Sequence, residues 1–378
     1  MAEEPLEAAD EATEVDGPSH FPCAQCGAEL TFRPGTESLV CEHCGHVNQI
    51  AGDPEEVEEQ DLVSALAALE DASQTDAKTL LRCDSCGAEI EKPSTQTAFS
   101  CPWCGAPIVS QGKDVTRLRP GALLPFKVDH AEASRAYAQW LSKLWFAPND
   151  VKKYARTKGR FRGLYMPFWT FDAEADTRYT GQRGEYYYVT VSYTTTDANG
   201  HVQHRTRRER RTRWYPASGL VHDAFDDVLV AASRAVPMKL LAKLEPWPLK
   251  EVLPYDDAYL AGFEAESYTV PLDDGLTQAK KIMREGIRRT VRRDIGGDEQ
   301  RIMSMRTQWE DLKFKYILLP VWVASFRYRD KVYRFLVNAR TGEVQGERPY
   351  SAWKITFLVL AILAVIATIV IVAKSQGS

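Results

Sequence analysis

The sequence predicts a multidomain chain. It has two small β-ribbons with four cysteines each, a central α+β domain with an antiparallel sheet, and one C-terminal apolar helix, in 378 residues. Three observations predict it. All eight cysteines fall in two matched groups near the N-terminus. Residues 111–350 alternate amphipathic helical patterns with aromatic and β-branched runs. Ile355 to Ala373 is a nineteen-residue run without a charge.

Residues 1–20 hold seven acids and no Lys or Arg, and read as a disordered acidic tail. They contain no apolar run of the kind a secretory signal needs. Residues 21–50 form the first ribbon, with Cys23, Cys26, Cys41 and Cys44. Residues 82–110 form the second, with Cys83, Cys86, Cys101 and Cys104. Each group reads C-x2-C, fourteen residues, C-x2-C. A two-residue gap lets one tight turn aim both sulfurs at one ion, and two such turns across a hairpin complete a tetrahedron. Gly27, Gly45, Gly87 and Gly105 follow the second Cys of each pair and supply the positive φ that the turn needs. The eight cysteines are therefore expected to ligate two Zn²⁺ ions in closed, structural zinc ribbons. A disulfide framework requires an oxidising compartment, and a redox dithiol does not come as two pairs at this spacing. His43 and His46, beside Cys44, are read as surface residues. Trp103, inside the last C-x2-C, is read as either a contact residue or a cover for the metal.

Residues 51–81 read as an acidic linker, with Leu62, Leu66 and Leu69 at helical spacing in one short helix. In the α+β domain, Asp129 to Phe146 is expected to be a helix presenting Tyr137, Trp140, Leu141, Leu144 and Trp145, ended by Pro148. Gly163 to Trp169 opens a hydrophobic strand, and a similar phrase recurs at Ile317 to Trp322. Each follows a helical stretch. A diverged internal duplication and coincidence both account for this.

Tyr186 to Thr196 alternates Tyr, Val and Thr, and Asn199-Gly200 marks a hairpin. The return strand carries Arg205, Arg207, Arg208, Arg210, Arg211 and Arg213. A two-residue turn would set Tyr188 opposite Arg211, Tyr186 opposite Arg213, Val191 opposite Arg208 and Val189 opposite Arg210. A hairpin over 185–215 with no fully apolar face is expected to project from the core. Two readings stand: a solvated, Tyr–Arg-stacked ribbon, or a basic arm whose arginines contact anionic lipid, nucleic acid or an acidic partner. Leu276 to Ile295 is a second basic element, a helix with Leu276, Ala279, Ile282, Met283, Ile287 and Val291 along one stripe. His222, Asp223, Asp226 and Asp227 are read as a helix start.

Residues 353–374 are long enough to cross a bilayer, with Trp353, Lys354 and Lys374 as interfacial anchors. Residues 375–378 form a short tail. A single C-terminal anchor in the cell (inner) membrane is expected, with the bulk of the chain in the reducing cytoplasm. No Walker loop, H-E-x-x-H or G-x-S-x-G sequence occurs. An enzyme is therefore not expected, no catalytic residue is nominated, and no small-molecule substrate is identified.

The two CxxCG…CxxCG ribbons, the Pro167-Phe168-Trp169 and Pro320-Val321-Trp322 strands, the Asn338-Ala339-Arg340-Thr341-Gly342 turn and the terminal span together resemble a bacterial family. Its members are membrane-anchored proteins with transcription-factor-IIB-type zinc ribbons, some labelled primosomal protein N′ (replication factor Y). The helicase portion that this label implies is absent. The resemblance implies the eight cysteines as zinc ligands and, for some relatives, a membrane-stress role in which an anchored protein recruits soluble partners. The expected function is thus an adaptor that docks protein partners at the membrane; the alternative is membrane-tethered nucleic-acid binding.

Overall fold

The computed structural model describes residues 21–50, 57–62, 64–66, 75–83, 89–91, 99–103, 106–108, 113–148, 161–196, 201–328, 331–348 and 350–376. The acidic tail, Leu69, Cys86, Cys104 and the Asn199-Gly200 turn lie outside them.

Strands β1 (Leu30–Phe32), β2 (Ser38–Cys41) and β3 (Val47–Gln49) make an antiparallel meander. Next come β4 (Gln60–Asp61), β5 (Thr75–Arg82), β6 (Glu89–Glu91), β7 (Phe99–Ser100), β8 (Pro107–Ile108) and β9 (Lys113–Leu118). β5 pairs with both β6 and β9, and β7 pairs with β8. The stretch read as an acidic linker is thus partly built into the fold. β4 joins the main sheet at Lys313 and Phe314, and Leu62 and Ala65 are buried. The acids of this stretch are not all solvated, because Glu59 meets Lys313 and Lys315.

The central domain follows: β10 (Ala122–Leu123), α1 (His130–Lys143), β11 (Arg162–Thr196), β12 (Val202–Ala231), β13 (Leu253–Pro254), β14 (Glu264–Ala265), α2 (Leu272–Ile295), β15 (Glu299–Tyr328), β16 (Lys331–Asn338) and β17 (Val344–Gly346). These strands and β4 form a nine-stranded sheet around the antiparallel pair β11–β15. α1 starts where Asp129 caps it: its carboxylate accepts from the Glu132 N–H, and the Glu132 carboxylate accepts from the Asp129 N–H. Its buried stripe is Ala133, Tyr137 and Leu141. Trp145, expected on that face, lies past the helix end and is 77% exposed. α2 buries Ala279, Met283, Ile287 and Val291, whereas Ile282 turns outward. His222, Asp223, Asp226 and Asp227 lie on strand β12, not at a helix start. Flanking β-branched residues extend the strand through them, and His222 pairs across with Asp176.

The recurring phrases pair with each other about Met166 and Leu319, and their surroundings match bond for bond. Leu164 and Tyr165 take the parallel strand β14 on their outer edge, while Ile317 and Leu318 take the parallel strand β10. Pro167 and Pro320 stand where each strand then changes its outer neighbour, to β12 and β16, a place where a missing ladder donor costs little. The Pro167 carbonyl accepts from Ala232 N–H at 3.0 Å, and the Pro320 carbonyl from Ala339 N–H at 3.1 Å. Trp169 Nε1 donates to the Val270 carbonyl at 3.0 Å, and Trp322 Nε1 to the Val128 carbonyl at 2.8 Å. Those carbonyls immediately precede the caps of α2 and α1.

Side chains alternate across this pair and build two cores. Tyr165, Trp169, Phe171, Phe314 and Trp322 point to the face covered by α1, α2 and the first ribbon. Leu164, Met166, Phe168, Leu319 and Val321 point to the face covered by Cys83, Ile90, Cys101 and Trp103 of the second ribbon. Trp103 is fully buried there, so it covers this face and is no exposed contact residue.

β11 and β12 run on beyond the sheet. β15 stops pairing at Gly184, and from there to Thr196 the two strands form an arm of roughly 40 Å at about 3.4 Å per residue. Its register differs by one residue from that of a two-residue turn: Tyr188 faces Arg210, Tyr186 faces Thr212, Val191 faces Arg207 and Val189 faces Glu209. Thr196 pairs with Val202, so the connection is longer than two residues, and a slip of one exchanges the faces. The arginines still stack on tyrosines, now diagonally: Arg210 over Tyr186 at 4.1 Å and Arg208 over Tyr188 at 4.9 Å.

The chain finishes in α3 (Ala352–Gln376). Residues Ala352–Val372 have a mean hydropathy of 3.2, none of that stretch is buried, and among the described residues this is the one helix long and apolar enough to cross a membrane. Its start is tied to the end of α1. Lys354 Nζ donates to the carbonyls of Trp145 and Ala147 at 3.0 and 2.9 Å, and the Ser351 N–H donates to Phe146 at 2.8 Å.

Trp169→Phe and Trp322→Phe each remove the indole donor and leave a carbonyl unpaired. Each is expected to destabilise the domain by about 1–3 kcal/mol in denaturant titration, and by similar amounts because the two bonds are equivalent.

Candidate metal centre

The first ribbon assembles its cysteines on two identical turns. In one, the Cys23 N–H bonds to the Ala28 carbonyl and the Gly27 N–H to the Cys23 carbonyl; in the other, Cys41 bonds to His46 and Gly45 to Cys41. Gly27 and Gly45 sit at φ +72° and +76°, the left-handed region that closes each turn. The sulfurs of Cys23, Cys26, Cys41 and Cys44 all lie within 4.8 Å of one another. Cys23–Cys44 and Cys26–Cys41 are 3.6 and 3.5 Å apart. That is far beyond a disulfide bond of about 2.05 Å and close to the roughly 3.8 Å edge of a tetrahedron with Zn–S bonds of about 2.3 Å. Cys23 and Cys41 are buried against the central domain, and Cys26 and Cys44 face solvent.

The electrostatics ask for a cation. The backbone N–H groups of Cys44 and His43 hold the Cys41 thiol down at about 6, against the cost of burial. The His46 N–H favours the Cys44 thiolate, but burial and the sulfurs of Cys26, Cys41 and Cys23 outweigh it and push that thiol up to about 12. Cys41 ionises readily, and Cys26 and Cys44 resist following it. A divalent ion at the centre removes that conflict, so the donor set fits zinc with all four positions filled by sulfur. His43 is exposed and His46 half-buried; His46 contributes backbone groups to the second turn. Of the second group of cysteines, Cys83 and Cys101 are each 1% exposed, and Cys86 and Cys104 lie outside the described residues.

No family model matches the chain. It is similar to an uncharacterised protein. That protein is YdjG of Bacillus subtilis (strain 168), 25% identical over 337 residues that cover 89% of this chain and 91% of the relative. No solved structure matches. The relative's description assigns no activity.

A second group, missed in the sequence because its members are far apart, joins Glu59, Asp172 and Asp226. Lysines already serve its Glu59, Lys315 Nζ at 3.3 Å and Lys313 Nζ at 3.8 Å, and Lys315 also lies 2.8 Å from the neighbouring Asp227. Burial raises the Asp172 carboxyl to about 6, although it accepts from the Asp227 N–H and has Lys315 nearby. The Arg205–Arg213 set is not brought to either group; it lies along the outer part of β12, where Arg207 and Arg211 also flank Glu209.

Cys26→Ser alters an exposed ligand with little damage to packing, and is expected to remove one equivalent of zinc per chain by elemental analysis. For Asp172 the folded pKa exceeds the unfolded one, so between about pH 4 and 6 the folded state binds more protons and stability falls as pH rises. Asp172→Asn is expected to flatten that part of the stability–pH curve, measured by thermal unfolding.

Proposed function

We propose that this protein is a membrane-anchored adaptor, facing the cytoplasm, that docks protein partners at the bilayer. Its two ribbons each hold one structural zinc, through Cys23, Cys26, Cys41 and Cys44 and through Cys83, Cys86, Cys101 and Cys104. The observation that carries the reading is the junction of α3 with α1. The exposed apolar helix is fastened to the folded domain by Lys354 and Ser351, so a spanning helix holds the domain at a set height and not on a loose tether. Trp145 and Trp353, 77% and 78% exposed beside that junction, are suited to the headgroup layer. Closed sulfur sites favour a scaffolding role for the metal. The resemblance to membrane-anchored zinc-ribbon proteins, including the implied part in membrane stress, supports the same reading.

The matched hydrogen bonds about Met166 and Leu319 support an origin of the central domain by internal duplication, each copy comprising a parallel strand, a helix and a long strand. The halves have diverged in what they carry: the first has the long arm, and the second leads into the anchor.

A second reading, nucleic-acid binding at the membrane, is favoured by the arm. Its arginines and tyrosines stack in the open along a two-stranded ribbon that reaches well past the sheet.

Crosslinking in intact cells, followed by recovery of the wild type and of Cys→Ser variants in each ribbon, tests the adaptor. The variants are expected to lose specific partners, and an unchanged partner set would count against it. For the alternative, titration with DNA and RNA at several salt concentrations is expected to give affinity that falls with salt, and Arg208→Ala with Arg210→Ala to reduce the slope by about 2.

A further inference from the structure

The two halves of the sheet differ at one place. Phe314 and Lys315 precede Ile317 on β15 just as Phe161 and Arg162 precede Leu164 on β11. Beside Phe314, the chain's own β4 is added to the strand: Lys313 pairs with Asp61 and Phe314 with Gln60, and Glu59 reaches Lys315 at 3.3 Å. Only about 10 Å³ of space remains there. At the corresponding place on β11, among the described residues, no strand is added before Leu164. A cleft of about 380 Å³ opens there instead, between the start of β11 and the first ribbon.

The walls of this cleft state what it would take. Phe32, Phe161, Phe263 and Trp322 supply aromatic surface, and Glu42, Arg162 and Glu264 supply charge. Glu42 directly follows the metal-ligating Cys41, so the ribbon forms one wall. Arg162 reaches one oxygen of Glu264 at 3.4 Å, while the other oxygen is buried without a hydrogen-bond partner. Two carboxylates and one guanidinium thus line the cleft, the reverse of the filled one, where two lysines meet the acidic β4 segment. The position asks for an extended backbone, and the charge asks for a cationic side chain.

We infer that this cleft is a strand-docking site for a basic, extended segment of a partner protein, laid along β11 as β4 is laid along β15. The inference deepens the adaptor reading by naming where and how a partner is held. The strand's main chain contributes the added ladder, and alternate side chains meet the aromatic wall and the Glu42–Glu264 pair.

The test uses the full chain in nanodiscs and a displayed library of random peptides. Enriched peptides are expected to carry Lys or Arg within a β-forming sequence. Synthetic copies are expected to bind the double variant Glu42→Gln, Glu264→Gln roughly tenfold more weakly, with zinc content unchanged and the domain still folded by circular dichroism. Methylating their central backbone amides is expected to abolish binding. Absence of enrichment, equal binding to the double variant, or equal binding of the methylated peptides would each overturn the inference. If partner recruitment in cells persists in the double variant, the cleft is wrong and the adaptor reading stands; if recruitment is also insensitive to the ribbon cysteines, both fall.

Discussion

The antiparallel pairing of β11 with β15, centred on Met166 and Leu319, is the constraint on which the other elements rely. Backbone hydrogen bonds hold the two strands in one register from Arg162 to Asp172, before the irregularities that follow Asp172 and Thr180, and that register decides which side chains face which core. One set makes the floor under α1, α2 and the first ribbon; the other makes the floor under Trp103 and the buried cysteines of the second. A shift of one residue would send Trp169 and Trp322 to the wrong face and sever both indole bonds that seat the helices. The prolines are part of this design, because they coincide with the exchange of outer neighbours.

Ribbon and sheet support one another. The small ribbon has few apolar residues of its own, and Leu30, Phe32 and Leu39 are buried only because the domain offers Phe126, Tyr165 and Tyr259. In return, the ribbon covers the ends of strands that would otherwise expose aromatic surface. A domain of this kind does not separate cleanly into finger and body. The turn that carries Cys41 also carries Glu42, so one wall of the open cleft belongs to the cysteine cluster.

Charge is distributed according to distance from that core. Close to it, acids and bases neutralise each other, as Lys315 does with Glu59 and Asp227. Far from it, on the arm, guanidinium groups such as those of Arg208 and Arg210 lie over tyrosine rings in solvent. The arm and the anchor thus belong to opposite ends of one rigid strand system, and the open cleft lies near the anchored end, where β11 begins.

Some of this was determined by the sequence alone. The spacing of Cys23, Cys26, Cys41 and Cys44 specifies the ligand cluster because it is local: two turns and a hairpin suffice. The charge-free run from Ile355 to Ala373 specifies the terminal helix for the same reason, and the helical pattern that begins at Asp129 marks α1. Other features were decided only by tertiary structure. The strand identity of His222 to Asp227, the register of the arm, the outward turn of Trp145 and Ile282, and the burial of Trp103 depend on which surface each residue meets, and periodicity does not carry that information. The Glu59–Asp172–Asp226 group and the cleft beside Arg162 join residues that are hundreds of positions apart or come from different domains. Such sites exist only once two long strands have chosen one register, since it is the pairing and no local pattern that brings their walls together.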